Sequence, residues 1–388
     1  MELVRYHAPA CRGHNLCYRV LDMAIEFDIK HRQGRARLGV VHTDHGSFTT
    51  PTVTTNFTPA LLRTGLTPDE VAELGVELLL VNTLHAELAG VRDVHQFLNW
   101  DGPVIADSGG YQMISLAQKL KIASDGVEFE MDGRQIKMTP ERVLEIQRSI
   151  GIDMMMPLDF VVDVRRHNVW TFVSAVLKTE AWFKQAFNTG SENLYYIVQG
   201  GTSSLARSIS LRFANKWFGK GVQLMALGGI SLGESSSAIH KTVDYCCARL
   251  PEKAPRHLLG VGRPIDLVKG IMAGVDTFDC VAITREARHG RLWVDGGVIR
   301  LTQGRYIEDN QVIEAGCDCP TCKSGVTRAS LRAGLKSSDE RIKNKTQIQL
   351  MKHNIRYVMR LVEQLREEIK NGDLERFYSE WVKRNKVD

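Results

Sequence analysis

The feature that most constrains the fold is a repeated pairing of a short, continuously apolar segment with a helix-like segment. Each apolar segment ends in a polar residue or a glycine. Continuous apolarity, rather than alternation, is typical of strands that are buried on both faces, as in a parallel sheet that helices cover. Seven such segments lie in the middle of the chain: 76–83, 103–108, 152–159, 194–200, 222–229, 257–262 and 277–281.

The number of predicted strands favours a closed barrel. An additional early strand near 37–41 brings the total to eight, which is the strand number of a (β/α)8 TIM barrel. A doubly wound open sheet is the alternative, but no Gly-x-Gly-x-x-Gly turn follows the first strand. The pattern therefore predicts an α/β fold built on a (β/α)8 barrel.

Polar residues and glycines end the predicted strands. In a (β/α)8 barrel the carboxyl ends of all strands meet at one mouth, where the active site lies. The pattern therefore predicts that the following residues lie close together: Asn82, Asp107, Asp159, Gln199, Gly228, Gly229, Gly260 and Asp279.

Three carboxylates belong to this group. Asp107 and Asp159, each taken alone, are consistent with a simple helix cap. Asp279 is more unusual, because a carboxylate between apolar residues on so short a strand is costly unless it is used. Three converging carboxylates can supply a nucleophile, an acid/base and an acceptor for the N–H groups of a purine.

A cluster of cysteines near the C-terminus predicts a zinc site. The segment CDCPTC contains Cys317, Cys319 and Cys322, which are spaced to wrap a tetrahedral Zn²⁺. We expect His353, at the start of the C-terminal helix, to supply the fourth ligand. Four protein ligands leave no position for water, so the predicted zinc is structural. The alternative is a reduced cysteine knuckle without metal.

The chain is predicted to divide into three parts. Residues 1–24 form an N-terminal extension, and residues 25–300 form the barrel core with the active site. Residues 301–388 form a zinc-binding subdomain and a C-terminal helix that packs on the barrel. The apolar residues of this helix recur at helical spacing on one face: Ile355, Val358, Met359, Val362, Leu365 and Ile369.

Charge is distributed unevenly along the chain. The net charge is +5, but residues 323–388 carry 16 Lys and Arg against 9 Asp and Glu. A basic region of this kind suggests an acidic partner such as nucleic acid, and solvated helix faces are the alternative. Since we find no run of eighteen apolar residues and no signal-peptide pattern, we expect a cytoplasmic protein without a membrane segment. Its eight cysteines should then be thiols or metal ligands.

Taken together, these segments closely resemble the tRNA-guanine transglycosylase (queuine tRNA-ribosyltransferase) family, from about Phe27 to the end of the chain. Any one of the short segments is a weak signal, but the ordered set is highly specific. The segments are DSGGYQ (107–112), IVQGG (197–201), LGGISLGES (227–235), HLLGVGRP (257–264), FDCVAITREARHG (278–290) and CDCPTC (317–322) with His353.

The resemblance implies a base exchange in tRNA. The wobble guanine of the anticodon would be replaced by a 7-deazaguanine, either 7-aminomethyl-7-deazaguanine or queuine, in queuosine modification. Asp279 would attack the ribose and hold the tRNA covalently, and Asp107 would be the acid/base. Such a double displacement retains stereochemistry, as in retaining glycosidases. The guanine would have to be flipped out of the anticodon loop.

The resemblance also implies the binding residues and the assembly. The residues implied for binding the base are Asp159, Gln199, Gly229, Tyr111 and Leu259. The residues implied for contacting RNA are Arg285 and Arg288. Family enzymes form homodimers or pair with a related non-catalytic subunit, so we expect a homodimer here.

Residues near the implied base pocket favour opposite answers about the incoming base. The chain has DFV at 159–161, where members that use the aminomethyl base usually have Asp-Glu-Cys. The queuine-using eukaryotic enzymes have a valine at the third of these positions, as this chain does at Val161. Leu232, however, stands where eukaryotic enzymes have a glycine and bacterial ones usually a valine. The segment NTLHA at 82–86 also departs from the family's Asn-Thr-Tyr/Phe-His-Leu.

Two other functions compete with base exchange in tRNA. One is insertion of a 7-deazaguanine into DNA. The other is a non-catalytic RNA-binding partner subunit. The presence of both Asp107 and Asp279 argues against the second, because a subunit without catalysis needs neither.

Overall fold

A computed structural model describes residues 25–57, 59–62, 64–110, 118–131, 133–162, 168–231 and 233–386. The predicted N-terminal extension, Tyr111 and Leu232 lie outside the described residues.

The strands are numbered in chain order. They are β1 (Glu26–Gln33), β2 (Ala36–Thr43), β3 (Gly46–Thr50), β4 (Thr52–Phe57), β5 (Leu79–Asn82), β6 (Val104–Asp107), β7 (Gln118–Ala123), β8 (Gly126–Met131), β9 (Arg134–Met138), β10 (Met154–Met155), β11 (Tyr195–Val198), β12 (Leu224–Leu227), β13 (Arg256–Leu258), β14 (Thr277–Asp279), β15 (Arg291–Val294) and β16 (Gly297–Arg300).

The helices follow the same numbering, and a 3₁₀ helix spans Gly304–Tyr306. They are α1 (Pro59–Leu62), α2 (Pro68–Ala72), α3 (Thr83–Leu88), α4 (Val94–Leu98), α5 (Pro140–Ser149), α6 (Val169–Phe187), α7 (Ser204–Phe218), α8 (Ser236–Cys247), α9 (Pro264–Ala273), α10 (Ala282–Arg288), α11 (Pro320–Lys323), α12 (Arg328–Leu335), α13 (Glu340–Asn371) and α14 (Leu374–Asn385).

Eight parallel strands form the centre of the molecule. Their order is β10-β6-β5-β4-β14-β13-β12-β11, and each neighbouring pair runs parallel. A parallel bridge between Met155 and Leu194 joins the two ends of this series. The sheet therefore closes on itself, and the predicted (β/α)8 barrel is confirmed.

The predicted first strand of the barrel is wrong. Residues 37–41 lie in β2, which pairs antiparallel with β1 and β3 in a separate small sheet. The first barrel strand is β4, with the sequence TVTTNF. Its alternating threonines hide it from a search for apolar runs, although threonine is well suited to a strand. A second antiparallel sheet, β7–β9, is inserted before α5 and is also absent from the sequence prediction.

The barrel interior has an apolar sector and a polar sector. The apolar side chains come from five neighbouring strands or the residues beside them: Leu78, Leu80, Ile105, Met154, Met156, Tyr195, Ile197, Leu224 and Ala226. Val41 and Phe48 of the small sheet belong to the same cluster, so that sheet covers one end of the interior. On the remaining strands, Val53 and Phe278 pack outward against the helices. Alternation along each strand then turns polar side chains inward: Thr54, Asn56, His257, Thr277 and Asp279.

Two helices begin at cap residues that can be recognised in the sequence. Thr67 and Glu70 form a reciprocal capping box at α2, with Pro68 in the first turn. Thr139 caps α5 through the backbone N–H of Arg142.

The C-terminal helix packs on the barrel. The predicted apolar face of α13 is buried, from Ile355 to Ile369, and the helix contacts β1, β2, β4, α9 and α10. The division of the chain at residue 300 stays a prediction. Within the described part of the chain, no helix has the length and apolarity needed to cross a bilayer.

Candidate active site and metal-binding group

A pocket of about 530 Å³ opens at the carboxyl ends of the barrel strands. Most of the predicted site residues are brought together here. Those that line the pocket are Asp107, Asp159, Gly228, Gly229, Leu259, Gly260, Asp279 and Arg285, together with Val161. Gln199 and Asn82 lie next to this lining, where they hydrogen-bond Asp159 and Asp107 respectively. Tyr111 lies outside the described residues.

Asp279 is the last residue of β14, and three donors hold its carboxylate. Its Oδ1 accepts hydrogen bonds from His257 Nε2 at 3.2 Å and from the Gly260 N–H at 2.9 Å. Its Oδ2 accepts a hydrogen bond from Asn56 Nδ2 at 3.2 Å. Burial alone would raise the pKa of Asp279, but these hydrogen bonds outweigh it and hold the pKa below its usual value. Asp279 is therefore ionised near neutral pH.

Asp107 ends β6 and has the opposite electrostatic behaviour. Its Oδ1 accepts hydrogen bonds from Asn82 Nδ2 at 2.7 Å and from the Gly109 N–H at 3.0 Å. Burial raises the pKa of Asp107 to about 7, and the negative charge of Asp279 adds to the increase. Near neutral pH a large fraction of Asp107 is therefore protonated beside an ionised Asp279. A pair of carboxyl groups whose pKa values are separated in this way can provide an acid and a nucleophile.

Asp159 and Gln199 form a second polar group in the pocket. Asp159 Oδ1 accepts a hydrogen bond from Ser108 Oγ at 2.9 Å, and its Oδ2 accepts one from Gln199 Nε2 at 2.5 Å. Burial raises the pKa of Asp159 despite these two donors. The amide oxygen of Gln199 lies against Gly229, where a Cβ would come within 2.2 Å of it. Gly229 also has φ +65°, so both space and backbone conformation require glycine.

A buried arginine holds the backbone beneath this group. Arg207, on α7, donates to the carbonyl oxygens of Val198, Gly201 and Gly228 at 2.7–2.8 Å. These carbonyls flank Gln199 at the end of β11 and Gly229 at the end of β12. Arg207 therefore fixes the two strand ends relative to each other.

A buried glutamine plays a corresponding part beneath Asp107. Gln147, on α5, donates to the Met156 carbonyl at 2.8 Å and to Thr83 Oγ1 at 2.9 Å. Thr83 Oγ1 in turn donates to the backbone carbonyl of Asp107. The position of the Asp107 backbone thus depends on a residue from a surrounding helix.

Several residues of this site were not predicted from the sequence. Asn56 was missed because its strand has no apolar run. Ser108 was missed because a serine that directly follows a strand gives no distinct signal. Arg207 and His257 are fully buried polar residues, which a single sequence does not reveal. A signal existed only for His257, because the apolar segment 257–262 begins with this polar residue.

The two predicted RNA-binding arginines lie on α10, which follows β14 directly. Arg285 is exposed at the edge of the pocket. Arg288 is partly buried one turn further along α10, and it is not among the pocket-lining residues. The positive charge of Arg285 therefore lies at the pocket mouth.

Cys317, Cys319, Cys322 and His353 form a buried group that could hold a metal ion, as the sequence predicts. The three sulfur atoms lie 3.7, 3.6 and 3.5 Å from His353 Nδ1, in that order. Tetrahedral zinc with usual bond lengths would place nitrogen and sulfur ligands about 3.5 Å apart. His353 Nε2 donates to the Trp293 carbonyl at 2.8 Å, which leaves the lone pair of Nδ1 directed at the sulfurs.

One detail of the predicted metal site is wrong. His353 lies in the middle of α13 rather than at its start, because the helix begins at Glu340. The extra turns begin at Asp339, whose side chain accepts a hydrogen bond from the Arg341 N–H.

The metal-binding group is connected to the helix that carries Arg285. Asn354, next to His353 on α13, donates to the carbonyls of Ile283 in α10 and Arg291 in β15. Its Oδ1 accepts a hydrogen bond from the Trp293 N–H at 3.1 Å. The metal-binding group therefore helps to fix α10 beside the pocket.

Comparison with known proteins agrees with this geometry. The family model for queuine tRNA-ribosyltransferase matches residues 32–387. The chain belongs to this family. The predicted enzyme class, a glycosyltransferase that transfers pentosyl groups, is therefore confirmed.

Full-length relatives support this membership. The chain is 36% identical over 375 residues to a queuine tRNA-ribosyltransferase of Dictyoglomus turgidum, across 93% of this chain and 94% of the relative. It is 34% identical to proteins of the same name from Tolumonas auensis and Vibrio vulnificus, which it covers over 98% and 97% of their lengths.

Proposed function

We propose that this protein exchanges the wobble guanine of a tRNA anticodon for a 7-deazaguanine base by double displacement. The observation that carries the proposal is the pair of carboxyl groups at the barrel mouth. Asp279 is held ionised by His257, Gly260 and Asn56, whereas the pKa of Asp107 is raised to about 7. The two groups thus have the protonation states that a nucleophile and a general acid require.

In the first half-reaction Asp279 attacks the anomeric carbon of the ribose. The bond between that carbon and guanine breaks, and its electron pair goes to the guanine ring nitrogen. Asp107 donates its proton to this nitrogen, so guanine leaves as a neutral base. The tRNA remains bound to Asp279 as an ester. In the second half-reaction Asp107, now ionised, removes a proton from the incoming base, which displaces Asp279 from the ribose.

The polar group around Asp159 is suited to holding a purine-like base. Asp159 is an acceptor for adjacent N–H groups of the base, and Gln199 is placed to address its carbonyl. Because burial raises the pKa of Asp159, a base that supplies N–H donors would stabilise the ionised form. Gly229 leaves room for the ring, and Leu259 lies at the pocket wall.

The remaining parts of the proposal concern the partner and the assembly. Arg285, Arg288 and the basic segment 323–388 would contact the phosphates of the tRNA. A homodimer is carried over from the family resemblance, and a cytoplasmic location is the expectation from the sequence. Val161 lines the pocket. The exchange assay described next identifies the incoming base as 7-aminomethyl-7-deazaguanine or queuine.

Exchange at the wobble position is the first test. A tRNA that carries radiolabelled guanine at this position should lose its label when unlabelled aminomethyl base or queuine is added, and the base that releases the label is the substrate. Asp279→Asn should abolish release while leaving tRNA binding largely intact, because only the nucleophile is lost. Turnover in Asp279→Asn would exclude Asp279 as the nucleophile. Release from plasmid DNA but not from tRNA would point to a DNA-modifying enzyme.

The pH profile tests the role of Asp107. Guanine leaves only when Asp107 is protonated and Asp279 ionised, so kcat/KM for tRNA should be level between about pH 5 and 7. It should fall as the pH rises through the Asp107 pKa of about 7, by about tenfold per unit above it. Asp107→Asn should lower the rate and remove this alkaline limb. A kcat/KM that increases above pH 7 would contradict the assignment.

The salt dependence of binding tests the contact at Arg285. Neutralised phosphates release counterions, so tRNA affinity should fall steeply as salt is raised. Arg285→Ala should weaken binding and reduce the slope of log Kd against log salt by about one. Arg212→Ala, which removes an exposed arginine on the outer helix α7, is the matched control and should behave like the unchanged protein. Equal slopes for all three proteins would exclude a phosphate contact at Arg285.

We also propose that the cysteine group holds one structural zinc ion. Cys317, Cys319, Cys322 and His353 would fill all four positions, so the metal would stabilise the fold and take no part in the reaction. Metal analysis should return about one zinc per chain. Cys319→Ser should lose the metal and lower the melting temperature, whereas Cys246→Ser, at a buried thiol on α8, should keep it. Full zinc content in Cys319→Ser would refute the proposed ligand set.

A further inference from the structure

We propose that His257 is a positioning residue that anchors Oδ1 of Asp279, so that Oδ2 is the atom that attacks the ribose. The inference rests on the proposed function, because it assigns a role within the same reaction. It concerns a residue that touches neither the tRNA nor the base and acts only through Asp279.

The two oxygens of Asp279 have different surroundings. Among the described residues, Oδ1 accepts two hydrogen bonds, from His257 Nε2 at 3.2 Å and from the Gly260 N–H at 2.9 Å. Oδ2 accepts one, from Asn56 Nδ2 at 3.2 Å. A carboxylate oxygen has two lone pairs in its plane, so Oδ1 is fully engaged and Oδ2 keeps one lone pair. Oδ2 is therefore the oxygen that is free to form a bond.

A second hydrogen bond holds the imidazole ring of His257 in place. An ionised Asp279 can only accept, so the proton of the imidazole lies on Nε2. His257 Nδ1 lies within hydrogen-bond distance of Thr277 Oγ1, at 2.8 Å, and this contact fixes the orientation of the ring. Both His257 and Thr277 are fully buried, so water does not compete for these bonds.

Other ionisable groups around His257 do not replace its role. The Tyr195 ring lies 5.8 Å from the imidazole ring, and its phenol has a raised pKa because of burial. Asp276 lies at the other end of β14, where its carboxylate accepts hydrogen bonds from the Arg37 side chain and from the backbone N–H of Arg256. Asp107 faces Asp279 across the mouth, where the negative charge of Asp279 raises the pKa of Asp107. The donor from His257 is thus the side-chain contact that most favours an ionised Asp279.

His257 contributes most to the reaction in the step in which Asp279 leaves the ribose as a carboxylate. During attack, the Oδ2–carbon bond forms, the carbon–guanine bond breaks, and the proton from Asp107 goes to guanine. During return, the Oδ2–carbon bond breaks and its electron pair restores the carboxylate, while His257 keeps its proton throughout. Its N–H stabilises the returning charge. Without that donor Asp279 is a poorer leaving group, and the covalent tRNA ester should persist.

The test compares variants that keep or remove the N–H donor. His257→Leu removes both nitrogens at similar size, and His257→Gln keeps an N–H at about the same reach. A hydrogen bond to a carboxylate is worth roughly one pKa unit or more. In His257→Leu the acidic limb of guanine exchange, measured with tRNA and radiolabelled guanine, should move up by about one pH unit. A larger fraction of tRNA should also stay covalently attached on a denaturing gel. His257→Gln should restore both toward the original values.

Different outcomes separate this inference from the proposed function. A folded, zinc-containing His257→Leu with an unchanged acidic limb and no added ester would overturn the role of His257. If His257→Leu does not fold, Thr277→Val decides instead. Removing its hydroxyl frees the imidazole ring to turn away from Oδ1, so the same shifts should occur in smaller degree, and their absence overturns the inference. If the unchanged protein neither exchanges guanine nor forms an ester, the proposed function itself fails.

Discussion

Closure of the parallel barrel is the constraint on which the site depends. The bridge between Met155 and Leu194 joins the last pair of strands, and as a result every strand ends at the same mouth. Asp107 and Asp279 are separated by more than 170 positions in the chain, yet β6 and β14 deliver both to one pocket. An open sheet of the same strands would place its ends along an edge and would not enclose a pocket.

The interior of this barrel explains why two aspartates behave differently. Both are buried, and burial by itself raises the pKa of each. Asp279 stands above the polar sector, where His257 and Asn56 supply donors that more than compensate for burial. Asp107 stands above apolar side chains, and its donors do not compensate for burial and for the negative charge of Asp279. The position of each carboxylate around the barrel therefore determines its protonation state.

The metal-binding group lies outside the pocket but is connected to it through α10. His353 and Asn354 are neighbours on α13: the first faces the sulfurs and Trp293, and the second holds the backbone of α10 and β15. Because α10 follows Asp279 directly, its placement bears on both the catalytic strand and Arg285. A group far from the pocket can thus affect the position of Arg285 at the pocket mouth.

The sequence by itself determined the strand-helix alternation, the capped helix starts, the cysteine ligands and the acids at the strand ends. These features are local, since they depend on apolar runs, cap residues or short spacing. Strand β4 was not predicted because its inward positions are threonine and asparagine. The sheet β7–β9 was not predicted because it interrupts the alternation of strands and helices. Only the tertiary structure decided that His257 and Asn56 hydrogen-bond different oxygens of Asp279. Such contacts join strands distant in the chain, and a buried polar residue reveals its partner only when the barrel closes.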